Sequence, residues 1–147
     1  MLTKKSKYGL KALLYLAAQD AGRGPVLVSE LAESQRIPKK FLESILLDLK
    51  RFGLLQSKKG KGGGYFLSRP PEQVTVGQVV RALGGPLALV PCVSQTAYAR
   101  CEECVDEETC GVRKAMKEVR DATAQILDNT TLAGLNALSS TKSAINL

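Results

Sequence analysis

Leu54-Leu55-Gln56-Ser57-Lys58-Lys59-Gly60-Lys61-Gly62-Gly63-Gly64-Tyr65-Phe66-Leu67 sets two short apolar runs on either side of a glycine-rich link carrying three lysines. The runs have strand length, and the glycines allow the backbone to reverse, so the stretch predicts a β-hairpin. Pro70-Pro71 closes it. A lysine loop rich in glycine can also cradle a nucleotide, but Lys61 is followed by Gly62 rather than by Ser or Thr, and no long helix opens there, so the phosphate-loop pattern is missing. A solvated basic loop is the plain alternative.

Working outward, the segments before the hairpin have helical periodicity. Leu10, Leu13, Leu14 and Ala17 share one face of a helix over 6–21, which Gly22-Arg23-Gly24-Pro25 ends. After the apolar run Val26-Leu27-Val28, Ser29 is a good N-cap for a short helix ending near Gln35-Arg36. Pro38 suits the first turn of a third helix over 38–52, whose stripe is Leu42, Ile45, Leu46 and Leu49. After the hairpin, Thr75 and Gln78 form a capping box for a helix with Val76, Val79, Val80 and Leu83 on its face. Residues 87–109 lack periodicity. Val112, Ala115, Met116, Val119, Ala122 and Ile126 then mark a longer amphipathic helix, followed by a short one over Leu132–Leu138 and a polar, frayed tail from Ser139. The fold expected is mainly α with a small β-hairpin wing: a winged helix-turn-helix with a long C-terminal helix. The organisation expected is a DNA-binding domain over 1–85, a cysteine-rich sensor loop over 86–110, a dimerisation helix and C-terminal helix over 111–138, and a flexible tail over 139–147.

Charge is unevenly spread along the 147 residues. Residues 1–74 hold 14 Lys/Arg and 6 Asp/Glu, while residues 75–147 hold 7 and 8. A basic half joined to a neutral half predicts a polyanion-binding module joined to something else. The chain has no histidine, which removes Ser-His and Cys-His catalysis and two-Cys-two-His zinc fingers. With no clear nucleophile–base pair either, an enzyme is not expected. No apolar run reaches the roughly 20 residues needed to span a bilayer, and the start Met1-Leu2-Thr3-Lys4-Lys5 lacks a secretory apolar block, so a cytoplasmic protein without membrane contact is expected. In a winged helix-turn-helix, the N-terminal turns of the recognition helix reach base edges in duplex DNA. Lys39, Lys40, Glu43 and Ser44 occupy those turns. Lys58, Lys59 and Lys61 give the wing its charge, Gly62 and Gly63 let backbone N–H groups approach phosphate, and Tyr65 ends the link. Lys4, Lys5 and Lys7 are candidates for gripping phosphate beside them.

All four cysteines lie in one stretch, Cys92-x8-Cys101-x2-Cys104-x5-Cys110. In a reducing compartment clustered thiols suggest a soft metal site rather than disulfides. Zinc favours two Cys-x2-Cys pairs and only one exists, whereas a long first spacing fits a loop folded around a larger iron–sulfur cluster. Glu102, Glu103, Asp106, Glu107 and Glu108 sit among these ligands, and nearby anions raise thiol pKa values, which argues against a low-pKa redox thiol. An iron–sulfur cluster, a zinc ion and a disulfide or thiol switch all stay open on spacing alone.

The chain resembles the Rrf family of winged-helix regulators, whose members include IscR-like and NsrR-like sensors. The resemblance rests on Ser6-Lys7-Tyr8-Gly9-Leu10, Pro38-Lys39-Lys40-Phe41-Leu42-Glu43, Phe52-Gly53-Leu54-Leu55, the wing Lys59-Gly60-Lys61-Gly62-Gly63-Gly64-Tyr65, and Thr130-Thr131-Leu132-Ala133-Gly134-Leu135. It implies a homodimer, built by the long helix after the cysteines, on a pseudo-palindromic double-stranded DNA operator. It also implies base discrimination by Glu43 and DNA affinity that follows cluster occupancy. Family members of the IscR type show Cys-x5-Cys-x5-Cys, and only Cys104-x5-Cys110 keeps that step here. Cys92 takes the first place and Cys101 is additional. Arg113 stands near the place of the histidine ligand of one branch, and Lys7 at the aspartate ligand of another. The simplest completion is an all-cysteine site of Cys92, Cys101, Cys104 and Cys110, for [2Fe–2S] or [4Fe–4S], with zinc as the alternative. Some members of the family sense cysteine metabolism without a cluster.

Overall fold

The computed structural model describes residues 2–140. Among them are helices α1 (Lys4–Ala17), α2 (Val28–Gln35), α3 (Lys39–Arg51), α4 (Val76–Gly84), α5 (Gly111–Asn129) and α6 (Leu132–Ser140), with strands β1 (Leu55–Lys58) and β2 (Gly64–Leu67) between α3 and α4. The strands pair antiparallel in the register Leu55–Leu67, Gln56–Phe66, Ser57–Tyr65 and Lys58–Gly64. The chain is thus mainly helical with a two-stranded wing, as its pattern predicts.

Element starts differ from expectation for local reasons. Helix α1 begins at Lys4, because the Thr3 hydroxyl accepts from Ser6 N–H at 3.0 Å, and it stops at Ala17 rather than Ala21. Helix α2 begins at Val28 with Leu27 as its uncapped N-terminal residue, so Ser29 falls inside the first turn. The cause is long-range: Val26 exchanges two backbone hydrogen bonds with Tyr65, of 2.9 and 2.8 Å, and the chain must turn into the helix directly after that bridge. Pro38 precedes α3 instead of lying within it, and its carbonyl accepts the first helical bond from Leu42 N–H at 2.9 Å. Arg36, between α2 and α3, is left-handed at φ 54°. The capping box at α4 is present in both directions, Gln78 N–H to Thr75 Oγ1 at 3.2 Å and Thr75 N–H to Gln78 Oε1 at 3.1 Å. Ser139 and Ser140 belong to α6, so the expected tail does not start at Ser139; the rest of it, 141–147, lies outside the described residues.

One core holds these elements together. The α3 stripe of Leu42, Ile45, Leu46 and Leu49 is fully buried against Ala12, Leu13 and Leu16 of α1, Leu31 of α2, Leu55 of β1 and Val79 and Leu83 of α4. Gly9 marks where α1 and α4 cross: a Cβ there would lie 2.1 Å from Leu83 Cδ1. Leu132, the first residue of α6, joins the same core. Helix α5 has no buried residue; Arg113, Met116, Arg120, Ala124 and Leu127 are half-buried along one side, and Val112, Ala115, Val119, Ala122 and Ile126 are exposed along the other.

Leu46→Ala removes a fully buried side chain from the centre of this core. The expected loss is about 2–5 kcal/mol of unfolding free energy, checked by urea denaturation, with the denaturant slope unchanged.

Candidate nucleic-acid interface and cysteine site

Burial of the α3 stripe forces the opposite side of that helix into solvent. Lys39, Lys40, Glu43 and Ser44 are all exposed there. The helix opens with two lysines and no acid in its first turn. Cations are disfavoured at a helix N-terminus by the backbone dipole, so this end is suited to an anion supplied from outside. Helix α3 is held on both flanks: Lys5 Nζ donates to Asp48 at 2.6 Å, and Lys50 Nζ donates to Ser57 Oγ on β1 at 2.7 Å. The Lys5 ammonium, and next Arg51, hold the Asp48 carboxyl below the usual carboxylate range. Lys5 is therefore engaged within the protein, whereas Lys4 and Lys7 are exposed on α1.

In the wing, Lys58, Lys59 and Lys61 are exposed. Its glycines divide into two groups. Gly60 and Gly62 turn the chain with φ of 86° and 73° and face open space. Gly63 and Gly64 lie beneath the turn. Gly63 is buried, and its N–H is taken by the Gly60 carbonyl at 3.0 Å, so it is not free for phosphate. Gly64 sits against the backbone of Val26, where a Cβ would meet the carbonyl oxygen at 2.3 Å. Tyr65 is half-buried, packs on the core, and uses its backbone in the bridge to Val26.

The irregular region between α4 and α5 is folded by its own polar groups. Arg100 donates to the carbonyls of Cys104 and Val105 at 3.2 and 3.3 Å. Asp106 accepts from Thr109 Oγ1 at 2.8 Å and from Glu108 N–H at 3.0 Å, and these bonds lower its pKa, the Thr109 hydroxyl most. Arg120 of α5 donates to the Val93 carbonyl, fixing the short 3₁₀ turn Pro91–Val93 that carries Cys92.

Cys92, Cys101, Cys104 and Cys110 all line one cavity of about 440 Å³, together with Glu103, Asp106 and Arg113. All four are free thiols; Cys92 is buried and the others half-buried. Ala99 N–H donates to the Pro91 carbonyl at 3.3 Å, which returns the chain toward the turn that carries Cys92. The neighbouring Cys92 thiol, then burial, then the charge of Cys92 and of Glu103 raise the Cys101 pKa. Cys110 caps α5, its Sγ accepting from Arg113 N–H at 3.4 Å. Among the described residues no three His, Cys, Asp or Glu side chains converge closely enough to hold a single metal ion. The thiols surround a space instead of meeting at a point. Four soft thiols around a space suit a cluster in donor chemistry, since each iron of a cluster takes its own thiolates. A further observation fits an anionic group in that space: Arg113 Nε is buried and has no hydrogen-bond partner among the described residues.

A helix-turn-helix with a lysine-bearing wing, joined to a thiol-lined cavity, defines a winged-helix regulator. Known proteins share this plan. Residues 2–137 match the family model for Rrf2, described as an iron-dependent transcriptional regulator. An rrf2-like HTH-type transcriptional regulator of Rhodobacter capsulatus is 41% identical over 139 residues, covering 93% of each chain. The structure of CymR, the global cysteine regulator of Bacillus subtilis, superposes with a TM-score of 0.76 at 29% identity over 94% of this chain and 97% of that one. IscR of T. potens does so with a TM-score of 0.74 at 26% identity, over 100% and 93%. The chain belongs to the Rrf2 family; it is a transcriptional regulator and not an enzyme. No helix among the described residues is long and apolar enough to cross a membrane.

Gly64→Ala places a methyl group against the Val26 carbonyl at a backbone angle of φ 137°. Its expected outcome is a lowered melting temperature together with at least a tenfold weaker DNA complex, read by calorimetry and fluorescence anisotropy. The same change at Gly22, where nothing lies within 4 Å, leaves both unchanged.

Proposed function

We propose that this regulator is a homodimer whose affinity for a pseudo-palindromic double-stranded operator is set by an iron–sulfur cluster held by Cys92, Cys101, Cys104 and Cys110. The observation that carries the reading is the cavity that gathers all four thiols beside an unpartnered arginine nitrogen. When bound, the cluster supplies a centre whose charge and integrity respond to oxidants or iron supply. The protein's own residues do the rest. Lys39, Lys40, Glu43 and Ser44 present donors and an acceptor to base edges, with Glu43 suited to cytosine N4. Lys4, Lys7, Lys58, Lys59 and Lys61 grip phosphate, and the open turn at Gly62 lets the backbone come close. Tyr65 supports the wing from beneath. The exposed edge of α5 (Val112, Val119 and Ile126) and the apolar groove beside it, lined by Leu2, Leu10, Val80, Leu87 and Leu89, are the surface assigned to the second copy. The reading assigns the protein to the cytoplasm, where thiols stay reduced.

The test is anaerobic purification with iron and sulfide analysis. The expected protein is brown, with visible absorbance near roughly 400 nm from thiolate-to-iron charge transfer, and serine at any one of the four cysteine positions bleaches it. Colourless protein with about one zinc per chain overturns the cluster. For the DNA half, Lys59→Ala with Lys61→Ala should reduce the slope of log K against log salt by about 0.9 for each phosphate these lysines neutralise, with operator preference kept.

A second reading has one specific observation behind it: Cys92 and Cys101 are both free thiols on the wall of one cavity. In metal-free protein that pair is placed to lose two electrons and two protons to a peroxide and form a disulfide. Mass mapping of peroxide-treated protein decides: a defined Cys92–Cys101 pair with altered DNA binding supports thiol control, and unaltered binding excludes it.

A further inference from the structure

Helix α5 starts against its own dipole. Its first turn carries Arg113 and then Lys114, and no acid. A helix N-terminus carries about half a positive charge, so cations there are unfavourable unless an anion sits beside them. Of the two, Lys114 is exposed to water, whereas Arg113 is half-buried and lines the cysteine cavity. Its Nε is fully buried and makes no hydrogen bond among the described residues. A buried donor without an acceptor is unfavourable, so it calls for a partner. The acidic groups on the same cavity, Glu103 and Asp106, form no ion pair with it among the described residues. The Arg113 backbone N–H already points at a ligand sulfur, that of Cys110. Arg113 thus brings a positive charge and an unpartnered donor to the wall of the space that the four thiols line.

We propose that Arg113 is the electrostatic partner of the group in this cavity: its Nε–H donates to a sulfur of the bound cluster, and its charge offsets the cluster's negative charge. This rests on the cluster reading above. Hydrogen bonds to the sulfurs and net charge are among the factors that set a cluster's reduction potential. Arg113 therefore raises that potential, easing one-electron reduction, and it counters the acids of the loop.

The experiment uses the full chain, reconstituted anaerobically, as wild type, Arg113→Gln, Arg113→Lys and Lys114→Gln. Iron and sulfide content are assayed first, helicity is checked by circular dichroism, and each bound cluster is titrated to its midpoint. Arg113→Gln is expected to lower the reduced-to-oxidised ratio about tenfold at the wild-type midpoint, which for one electron is a shift of about 59 mV to more negative potential. Arg113→Lys, keeping the charge but not the Nε donor, recovers part of the shift. Lys114→Gln, which removes one charge at the same helix end without touching the cavity, moves the ratio less than about twofold. If Arg113→Gln keeps both the cluster and the wild-type potential, or if Lys114→Gln shifts it as far, the role of Arg113 is overturned while the cluster stands. If the wild type binds no iron and sulfide, both fall together. Should Arg113→Gln lose its helicity, the Arg113→Lys midpoint decides: a negative shift supports the Nε contact, and the wild-type midpoint overturns it.

Discussion

Two backbone hydrogen bonds tie the middle of this chain to its C-terminal part: Val76 N–H to the Thr130 carbonyl at 2.8 Å, and Leu132 N–H to the Val74 carbonyl at 2.9 Å. They form an isolated antiparallel bridge between Thr75 and Thr131, one a helix cap and the other the lead into α6. Helical stability in proteins comes mostly from packing, yet α5 buries no residue of its own. What fixes it is attachment. The bridge holds its C-terminal end, and the fork of Arg81 on Asp128, at 2.6 and 2.9 Å, locks α4 to its last turns. Arg120, on the Val93 carbonyl, ties its middle to the turn that bears Cys92.

This attachment connects the two chemistries of the molecule. The thiol cavity is walled by the irregular loop and by the first turn of α5. The same α5 lies against α4, and α4 shares the core with the helix that presents Lys39 to Ser44. The helix whose first turn walls the thiol cavity therefore packs on α4, which packs in turn on α3.

The regular parts of the fold are legible in the chain because each obeys a local rule. The four leucine and isoleucine positions of α3 share one stripe, the Thr75–Gln78 box announces α4, and glycine-rich residues between apolar runs announce the wing. Pattern fails where distant backbone competes with local preference. Ser29 is the better cap, but Val26 is already paired with Tyr65, and α2 starts where that pairing leaves it. Gly63 reads as available to phosphate because its spacing is indistinguishable from that of Gly62; only the closed turn shows its N–H is used. At the site, spacing identifies four thiols but not that they line one cavity, since an aperiodic loop carries no geometric rule. Nor does spacing reveal the buried nitrogen of Arg113. Its one signal in the sequence is a pair of cations at a helix start where carboxylates are the favoured residues.

The corner between α2 and α3 has a mechanical consequence. Arg36 adopts a left-handed conformation that costs a non-glycine residue about 1 kcal/mol, and several contacts hold it there. Ile37 is buried and its N–H reaches the Ala32 carbonyl at 3.0 Å, Lys11 Nζ fastens the Gln35 carbonyl at 2.7 Å, and Pro38 restricts the next step. Such a corner is a bracket and not a hinge. In the proposed dimer each reading head then moves as a solid piece. Two such rigid heads on a proposed two-fold operator would have to match half-sites about 34 Å apart by their spacing and tilt, since neither corner gives.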